Sequence, residues 1–180
     1  MMEEQVILVD KNDNPIGKIG KLEAHQKGLL HRAISVFIFN SKGEMLLQQR
    51  AFHKYHTPSL WSNTACSHPR GNEIVKRAAE RRLKEEMGIE CDLFYAFNFM
   101  YRATFDNGLI ENELDHVYIG FSDKKPKPNP SEVEDFRYIN SNDLLNEIIE
   151  NPHTFTPWFK ICVDRVLKIR SILKKEVLIA

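Results

Sequence analysis

The sequence has no excess of charge of either sign, no long apolar run and few cysteines. Its 25 Lys and Arg residues balance 25 Asp and Glu residues, which argues against a general nucleic-acid binder, because such proteins usually carry a basic excess. No apolar run approaches the length that crosses a bilayer, and the first residues, Met-Met-Glu-Glu-Gln, resemble no secretory signal. The three cysteines lack the paired spacing of a disulfide framework. We therefore expect a cytoplasmic protein with reduced thiols and no membrane partner.

The length of the chain, 180 residues, is that of one domain, and we expect a single domain over residues 1–180. Hydrophobic residues make up 42% of the sequence and charged residues 28%, which is typical of a globular protein with one core. Runs rich in β-branched and aromatic residues, bounded by turn residues, predict strands. These runs cover residues 6–9, 33–39, 44–50, 93–101, 110–121 and 136–139. The predicted elements are mixed α and β, with more strands in the N-terminal part of the chain.

Three helices are predicted in the remaining segments. One apolar stripe recurs every four positions: Val75, Ala79, Leu83 and Met87. Asn72 is its expected N-cap, and Gly88 is expected to end the helix. Ser141 is a candidate cap for a helix through residue 149, and a long C-terminal helix is expected after Pro157. Two loops are predicted, over residues 51–65 and over the proline-rich residues 124–130.

Two short segments concentrate residues that carry chemistry. Residues 63–69 read Asn-Thr-Ala-Cys-Ser-His-Pro and place a thiol close to an imidazole. Residues 111–113 read Glu-Asn-Glu, and the two glutamates, two apart on a predicted strand, face the same side. With two upstream histidines the set becomes His25, His31, His68, Glu111, Glu113 and Cys66. Such a set can hold a divalent metal ion and still leave a cysteine and a carboxylate for proton transfer.

Each of these residue types also has an ordinary interpretation. A lone histidine is most often a satisfied surface or core residue, and four are interpreted in that way: His53, His56, His116 and His153. A lone cysteine is most often a small buried hydrophobe, which is our interpretation of Cys91 and Cys162. Cys66 differs because it lies in a polar segment two residues from a candidate metal ligand, where a thiol can reach a useful pKa.

Residues 81–89, Arg-Arg-Leu-Lys-Glu-Glu-Met-Gly-Ile, resemble the Nudix box, Arg-Glu-hydrophobic-x-Glu-Glu-x-Gly-hydrophobic. The first glutamate of that core is replaced by Arg82, the upstream glutamate falls at Glu73, and the leading glycine falls at Ser67. In Nudix hydrolases the glutamates gather magnesium around a diphosphate. Arginine in place of one glutamate removes a metal ligand and adds a phosphate-binding fork, so we expect a site that holds a diphosphate without cleaving it. From the charge pattern alone, a solvated helix face is the simpler interpretation.

Taken together, the sequence resembles type 1 isopentenyl diphosphate isomerase over about residues 6–158. The resemblance is carried by Leu-His-Arg-Ala at residues 30–33, Trp-Ser-Asn-Thr-Ala-Cys-Ser-His-Pro at 61–69, Tyr-Arg-Ala at 101–103 and Glu-Asn-Glu at 111–113. The combination of the cysteine segment, the Glu-x-Glu segment and a degenerate Nudix box is specific. The resemblance implies an α+β fold with a single Nudix-like domain. Its mixed β-sheet core is flanked by helices, with an N-terminal strand extension and a C-terminal helix.

The resemblance also implies two metal ions. One divalent ion (manganese, magnesium or zinc) is expected on five ligands: His25, His31, His68, Glu111 and Glu113. Five protein ligands leave a sixth octahedral position open. A second ion, magnesium, is expected to arrive with the substrate diphosphate and to contact Glu86.

The remaining implied roles concern the substrate. Cys66 and Glu113 are the expected proton-transfer groups, with Tyr101 hydrogen-bonded nearby. Four cations are expected to receive the diphosphate: Lys21, Arg50, Lys54 and Arg82. Trp158 is expected to cover the hydrocarbon end of the substrate, and core packing is the alternative for this residue.

The expected function is the interconversion of isopentenyl diphosphate and dimethylallyl diphosphate through a tertiary carbocation. The expected partner is then a small isoprenoid diphosphate, and neither nucleic acid nor a membrane. One alternative is a Nudix hydrolase acting on a nucleoside diphosphate derivative, which the partial box favours and which Arg82 and Cys66 oppose. The second alternative is a non-catalytic module that binds a diphosphate or a metal ion.

Overall fold

The computed structural model describes residues 4–54 and 56–177. Within these residues, nine strands form one mixed sheet that four α-helices flank. The strands are β1 (Gln5–Val9), β2 (Pro15–Gly20), β3 (His31–Phe39), β4 (Met45–Arg50), β5 (Trp61–Ser62), β6 (Ala65–Ser67), β7 (Leu93–Thr104), β8 (Ile110–Phe121) and β9 (Val133–Ile139). The helices are α1 (Lys21–Lys27), α2 (Val75–Met87), α3 (Ser141–Glu150) and α4 (Pro157–Val177), with a short 3₁₀ turn at Pro152–Thr154.

Strand β3 organises the sheet because it pairs along both edges. On one edge it runs parallel to β8, from His31 opposite Glu113 to Phe39 opposite Phe121. Along the other edge it pairs in turn with β1, β6 and β4, all antiparallel. Strand β7 extends the sheet beyond β8, while β5 and β9 pair with β4. The first half of β3 therefore has the cysteine segment on one edge and the Glu-x-Glu segment on the other.

The two faces of the sheet carry separate parts of the core. Side chains alternate between faces along a strand, and Ile34 and Ile38 of β3 pack in a cluster with apolar residues of α2. On the opposite face, Phe37 packs in a cluster with apolar residues of α4, and burying one such side chain contributes about 1.5–3 kcal/mol. His31 and Ser35 lie on the same face as Phe37. That face is thus apolar at one end of β3 and polar at the other.

The structure confirms the α+β class and the predicted strands. Strand β8 has the predicted bounds, and β1, β3 and β4 begin within two residues of the predicted positions. Strand β7 continues three residues further than predicted, to Thr104, and β9 begins three residues earlier, at Val133. The extent of one domain over residues 1–180 stays a prediction.

Short elements account for the main differences from the sequence-based expectations. Residues 51–65, predicted to be loop, contain β5 and the first residue of β6, which are too short to show the alternation of a strand. Helix α1 was not predicted at all. It has seven residues, of which only Ala24 and His25 are buried, too few to form a recognisable helical stripe.

The predicted helix ends are right in one case and wrong in two. Gly88 ends α2 in the left-handed conformation, with φ 65°. Asn72 does not cap α2, which begins after Ile74 without a side-chain cap. Asn140 rather than Ser141 caps α3, because its side-chain oxygen accepts a hydrogen bond from the backbone N–H of the third helical residue at 3.0 Å.

Candidate active site

A cavity of about 370 Å³ opens beside the first half of β3. Its wall is built from five strands, β3, β4, β6, β7 and β8, and from residues of α1, α2 and α4. Eleven of the predicted site residues line it: Lys21, Arg50, Lys54, Cys66, His68, Arg82, Glu86, Tyr101, Glu111, Glu113 and Trp158. The other two, His25 and His31, are fully buried beside the lining carboxylates.

The predicted metal ligands converge at one side of this cavity. His68 Nε2 lies 2.8 Å from Glu113 Oε1 and 3.2 Å from His31 Nε2. His25 joins this group, and its Nε2 lies 3.5 Å from Glu111 Oε2. Two ligand atoms at right angles around an ion, each about 2.1 Å from it, are about 3 Å apart. The observed spacings therefore suit a shared coordination sphere.

Hydrogen bonds to the backbone fix which nitrogen of two histidines is available. His31 Nδ1 lies 2.8 Å from the carbonyl oxygen of Leu29, and His25 Nδ1 lies 2.6 Å from the carbonyl oxygen of Lys21. A carbonyl can only accept, so each Nδ1 carries a proton and each neutral ring presents the lone pair of Nε2. This is the arrangement of metal-ligating histidines, whose second nitrogen donates to a carbonyl or carboxylate. The donor set fits a divalent metal ion.

Burial and neighbouring charges separate the pKa values within this cluster. Burial acts against the charged form of Glu113, but its contacts with neighbouring side chains, including His31 and Tyr101, together outweigh burial and lower the pKa of Glu113 to about 2. Burial, with nearby cations, holds the pKa of His68 well below its usual range. Burial also opposes the charged form of His25, yet its contact with Glu111 raises the pKa of His25. Carboxylate Glu113 and neutral His68 are in the forms that bind a metal ion.

His56 lies in this cluster, although the sequence pattern gives it only an ordinary interpretation. Its Nε2 lies 3.1 Å from Glu111 Oε1, and it forms with His25 and Glu111 a second group of possible ligands. Only 7% of His56 is exposed. The residue stands in a predicted loop of mixed polarity, where no periodic pattern marks it. His116 agrees with its ordinary interpretation, because its Nε2 pairs with Asp13 Oδ2 at 3.0 Å.

The two candidate proton-transfer groups lie on opposite edges of β3. Cys66 is on β6, opposite Ser35, and Glu113 is on β8, opposite His31. Arg50 Nη1 donates to Cys66 Sγ at 3.6 Å. Burial raises the pKa of the Cys66 thiol to about 12, and the positive charge of Arg50 opposes that rise. The group is therefore a thiol near neutral pH.

Tyr101 holds the carboxylate of Glu113 from strand β7. The phenol donates a hydrogen bond to Glu113 Oε2 at 2.5 Å, and burial with the nearby carboxylates raises the pKa of Tyr101 well above its usual value. The next residue on this face of β8 is Asp115, whose Oδ2 accepts a hydrogen bond from Ser35 Oγ at 2.7 Å. Asp115 was not among the residues predicted from the sequence. The alternation of Glu111, Glu113 and Asp115 along one strand is a signal that could have identified it.

At the far side of the cavity, Arg82 and Glu86 face each other along α2. Arg82 Nη2 lies 2.9 Å from Glu86 Oε1 and 3.1 Å from Glu132 Oε2, and Lys54 forms an ion pair with the same oxygen of Glu132. Gln48 Nε2 donates to the second oxygen of Glu86 at 2.8 Å. Burial raises the pKa of the Glu86 carboxyl against the charge of Arg82. Glu132 and Gln48 were not predicted, since neither stands in a recognisable motif.

The other two predicted cations are also fixed by partners. Lys21 Nζ lies 3.3 Å from Glu4 Oε2. Arg50 donates from Nε to the carbonyl oxygen of Thr57 at 3.2 Å and from Nη2 to that of His56 at 3.3 Å. All four cations therefore line the cavity with their positions set by oxygen atoms of the protein.

Two charged residues of α2, Arg81 and Glu85, lie outside the cavity lining and form ion pairs with neighbouring side chains. Glu73 accepts hydrogen bonds from Arg81 Nε and Nη2, both at 2.8 Å, and Arg81 Nη1 also donates to Glu85 Oε2 at 2.9 Å. Arg81 and Glu85 therefore agree with the interpretation of a charged helix face, whereas Arg82 and Glu86 line the cavity.

Trp158 lines the cavity and belongs to the apolar core at the same time. It is 4% exposed and packs in the cluster around Phe37. Its indole N–H lies 3.1 Å from both Ser62 Oγ and Asn63 Oδ1, which fixes the orientation of the ring. Its ring centroid is 6.4 Å from that of Tyr101. The core-packing interpretation is confirmed, and contact with the hydrocarbon end of the substrate stays a prediction.

Comparison with known proteins identifies the family. Residues 29–159 match the family model of the NUDIX domain. Two proteins of Aromatoleum aromaticum named isopentenyl-diphosphate Delta-isomerase are 51% and 54% identical to this chain, over 95% and 94% of it and over 90% and 96% of their own lengths. The chain belongs to the isopentenyl-diphosphate Delta-isomerase family. Another member, from Pectobacterium atrosepticum, is 49% identical over 96% of both chains.

Membership in the family confirms the resemblance found from the cysteine and Glu-x-Glu segments. Solved structures share the fold at low sequence identity. DR0079 from Deinococcus radiodurans has a TM-score of 0.69 at 21% identity, covering 82% of this chain and 90% of its own. The MutT protein from Methanosarcina mazei Go1 has a TM-score of 0.61 at 17% identity, covering 82% and 95%. Among the described residues, no helix combines the length and hydrophobicity needed to cross a bilayer.

Proposed function

We propose that this member of the family interconverts isopentenyl diphosphate and dimethylallyl diphosphate, with Cys66 and Glu113 as its proton-transfer pair. One observation carries this assignment: a thiol and a carboxylate line the same cavity from opposite edges of β3. Moving a carbon–carbon double bond requires an acid that adds a proton at one carbon and a base that removes one from another. Two groups on different sides of a bound alkene meet that requirement.

The reaction proceeds in two proton transfers. Addition of a proton to the terminal alkene carbon gives a tertiary carbocation, and loss of a proton from the carbon on the other side of the cationic centre completes the shift. Cys66, a half-buried thiol beside Arg50, is suited to hold or return a proton. Glu113 is a carboxylate whose Oε2 accepts a hydrogen bond of 2.5 Å from Tyr101 and whose Oε1 faces His68, so the carboxylate has a fixed direction.

The His and Glu set of the predicted metal site would hold one divalent ion, and Glu86 would contact a second ion that arrives with the diphosphate. Such ions supply fixed positive charge beside a carboxylate and a diphosphate. Arg82, Lys54, Lys21 and Arg50 supply further cationic donors for the phosphate oxygens. Because these side chains already have oxygen partners in the protein, they are oriented before the substrate enters.

The other end of the cavity is suited to the hydrocarbon. The Trp158 ring lies on its wall with Tyr101 beside it, and an aromatic face stabilises a nearby cation by about 0.5–2 kcal/mol. A buried aromatic wall also keeps water from the carbocation, which water would otherwise quench.

A hydrolase acting on a nucleoside diphosphate derivative is the competing function. The fold is shared with a MutT protein, but at that identity the likeness shows the fold alone. Arg82 stands where the box of a hydrolase has its first glutamate, and it forms ion pairs with Glu86 and Glu132. Arginine cannot bind a metal ion there, which disfavours cleavage.

The test is an isomerase assay with labelled isopentenyl diphosphate, run with and without added Mg²⁺ or Mn²⁺. We expect dimethylallyl diphosphate to form and no inorganic phosphate to be released. A parallel panel of nucleoside diphosphate derivatives provides the control for hydrolysis. Release of phosphate or nucleotide without isomerisation would replace this function with the hydrolase, and absence of any turnover would leave a binding module.

A further inference from the structure

The imidazole of His56 contacts one oxygen of a proposed metal ligand, and a different histidine contacts the other oxygen. His56 Nε2 lies 3.1 Å from Glu111 Oε1, whereas His25 Nε2 lies 3.5 Å from Glu111 Oε2. His25 belongs to the group of possible ligands that includes His31, His68 and Glu113, while His56 is grouped only with His25 and Glu111. Glu111 thus has one oxygen facing His25, which belongs to the metal cluster, and the other oxygen facing His56.

The position of the His56 ring is fixed by its surroundings. Arg50 Nη2 donates to the carbonyl oxygen of His56 at 3.3 Å, and Arg50 Nε donates to that of Thr57 at 3.2 Å. The ring stacks on Phe105, with centroids 5.7 Å apart and planes inclined by 14°. The edge of Trp158 lies against it, with centroids 6.4 Å apart. Backbone and ring are both held, so Nε2 keeps one direction.

The protonation of the ring is compatible with donation to Glu111. His56 Nδ1 lies 3.2 Å from Thr57 Oγ1, and a hydroxyl can donate to that nitrogen. The neutral ring then carries its proton on Nε2, which faces an oxygen that can only accept. Carboxylates that bind metal ions are commonly fixed by a second hydrogen bond of this kind.

We propose that His56 is a positioning residue that donates its Nε2 hydrogen to Glu111 Oε1 and so directs Oε2 toward the metal cluster. A carboxylate held in this way loses no rotational freedom when the ion binds, whereas an unheld one does. Outer partners of metal ligands typically change metal affinity or activity by about 10–100-fold. The inference rests on the ligand set of the proposed function, but it concerns how tightly the ion is held and not the double-bond shift.

Two substitutions separate hydrogen bonding from packing. His56→Phe keeps an aromatic ring against Phe105 and removes the donor. His56→Gln keeps an N–H donor of similar reach and removes the ring. His153→Leu is the control for loss of an exposed histidine away from the cavity. For each protein, the Zn²⁺ dissociation constant is measured by competition with a chromogenic chelator, after circular dichroism has confirmed the native fold.

We expect His56→Phe to raise the Zn²⁺ dissociation constant about 10–100-fold and His56→Gln to stay within about threefold of the parent protein. Unchanged affinity in His56→Phe, or equal losses in both variants, would overturn the inference. X-ray absorption of the Zn²⁺-loaded parent should show three imidazole ligands. Four imidazoles would also overturn it, because His56 would then be a ligand itself. Turnover is not a readout here, so failure of the isomerase assay is a separate result.

Discussion

Cys66 is distinguished from the other two cysteines by its neighbours and not by its burial. Burial raises the pKa of Cys66 to about 12 and that of Cys91 to about 11, and it raises the pKa of Cys162 well above the usual value. Burial alone therefore assigns no chemistry to any of them. Among the described residues, Cys66 is the only cysteine whose sulfur accepts a hydrogen bond from an arginine side chain. It also lines the same cavity as Glu113.

Cys66→Ala and Cys66→Ser should each fold normally and lose about 10²–10⁴-fold in kcat, the usual contribution of a general acid–base group. Cys91→Ala is the control, since this half-buried thiol lies outside the cavity lining, and it should retain the activity of the parent. Initial rates with labelled isopentenyl diphosphate measure the effect. Retention of more than about a tenth of the activity in Cys66→Ala would make the thiol structural.

Substitutions at Arg82 test whether the planar guanidinium group, and not only its positive charge, is needed to hold the diphosphate. Lysine keeps the charge but lacks the planar fork, so Arg82→Lys should raise KM about tenfold, equivalent to about 1.4 kcal/mol. Arg82→Glu should raise KM more and should also destabilise the fold, because the new carboxylate would face Glu86 and Glu132. Arg77→Lys, on an exposed position of the same helix, provides the control.

Steady-state kinetics together with a phosphate-release assay decide between the outcomes for Arg82. Neither substitution should create hydrolysis. A KM for Arg82→Glu within about twofold of the parent value would show that this guanidinium does not hold the diphosphate, since a lost charge-assisted bond has a larger effect.

For the individual helices and strands, local periodicity predicted those structural features that depend on a single segment of the chain. The period of two placed Glu111 and Glu113 on one side of β8, and the structure confirms both the strand and the shared side. The convergence of these glutamates with His25 and His31 could not be predicted from pattern. It depends on the parallel register of β3 and β8 and on helix α1, contacts between segments far apart in sequence. His56 was missed for the same reason.

The junction between α1 and β8 provides a prediction at this scale. Gly28 ends α1 with φ 60°, and its carbonyl oxygen accepts a hydrogen bond from Asn112 Nδ2 at 2.9 Å. A Cβ at Gly28 would lie 3.1 Å from the side chain of Ile110. Gly28→Ala should therefore lose about 1–2 kcal/mol of unfolding free energy from the left-handed backbone. It should also move His25 and weaken metal binding.

Gly108→Ala is a matched control for Gly28→Ala. Gly108 has φ 80°, and a Cβ there would meet no atom within 4 Å, so the backbone strain is similar while the site is not disturbed. Urea denaturation and Zn²⁺ titration are measured for both variants. Both should lose stability, and only Gly28→Ala should lose metal affinity. Equal metal affinity in the two would contradict the role of this junction.

For the whole molecule, the fold by itself does not determine which reaction the protein catalyses. A TM-score of 0.61 with a MutT protein at 17% identity shows that a similar fold forms from a largely different sequence, so function must be argued from the residues of the site. The metal cluster also links the site to the stability of the molecule. Several buried ionisable groups converge next to β3, and an ion that binds only the folded state stabilises it by mass action.

Removal of divalent ions with a chelator should lower the thermal unfolding midpoint, and adding Zn²⁺ or Mn²⁺ should restore it in a concentration-dependent way. At about 1,000 times the dissociation constant the expected gain is about 4 kcal/mol. His31→Ala, His68→Ala and Glu111→Gln should each lower the metal content found by elemental analysis. His116→Ala, whose imidazole pairs with Asp13, should not. Full occupancy in His68→Ala would contradict the assignment of the site.

The measurement that tests the central claim most directly is isotope incorporation in D₂O. Isopentenyl diphosphate is incubated with the protein and a divalent ion, and the products are followed by ¹H and ²H nuclear magnetic resonance. Proton addition through Cys66 or Glu113 predicts deuterium in the new methyl group of dimethylallyl diphosphate, no release of phosphate, and loss of both isomerisation and incorporation in Cys66→Ala. Isomerisation without solvent deuterium over many turnovers, or phosphate release in place of isomerisation, would contradict the account.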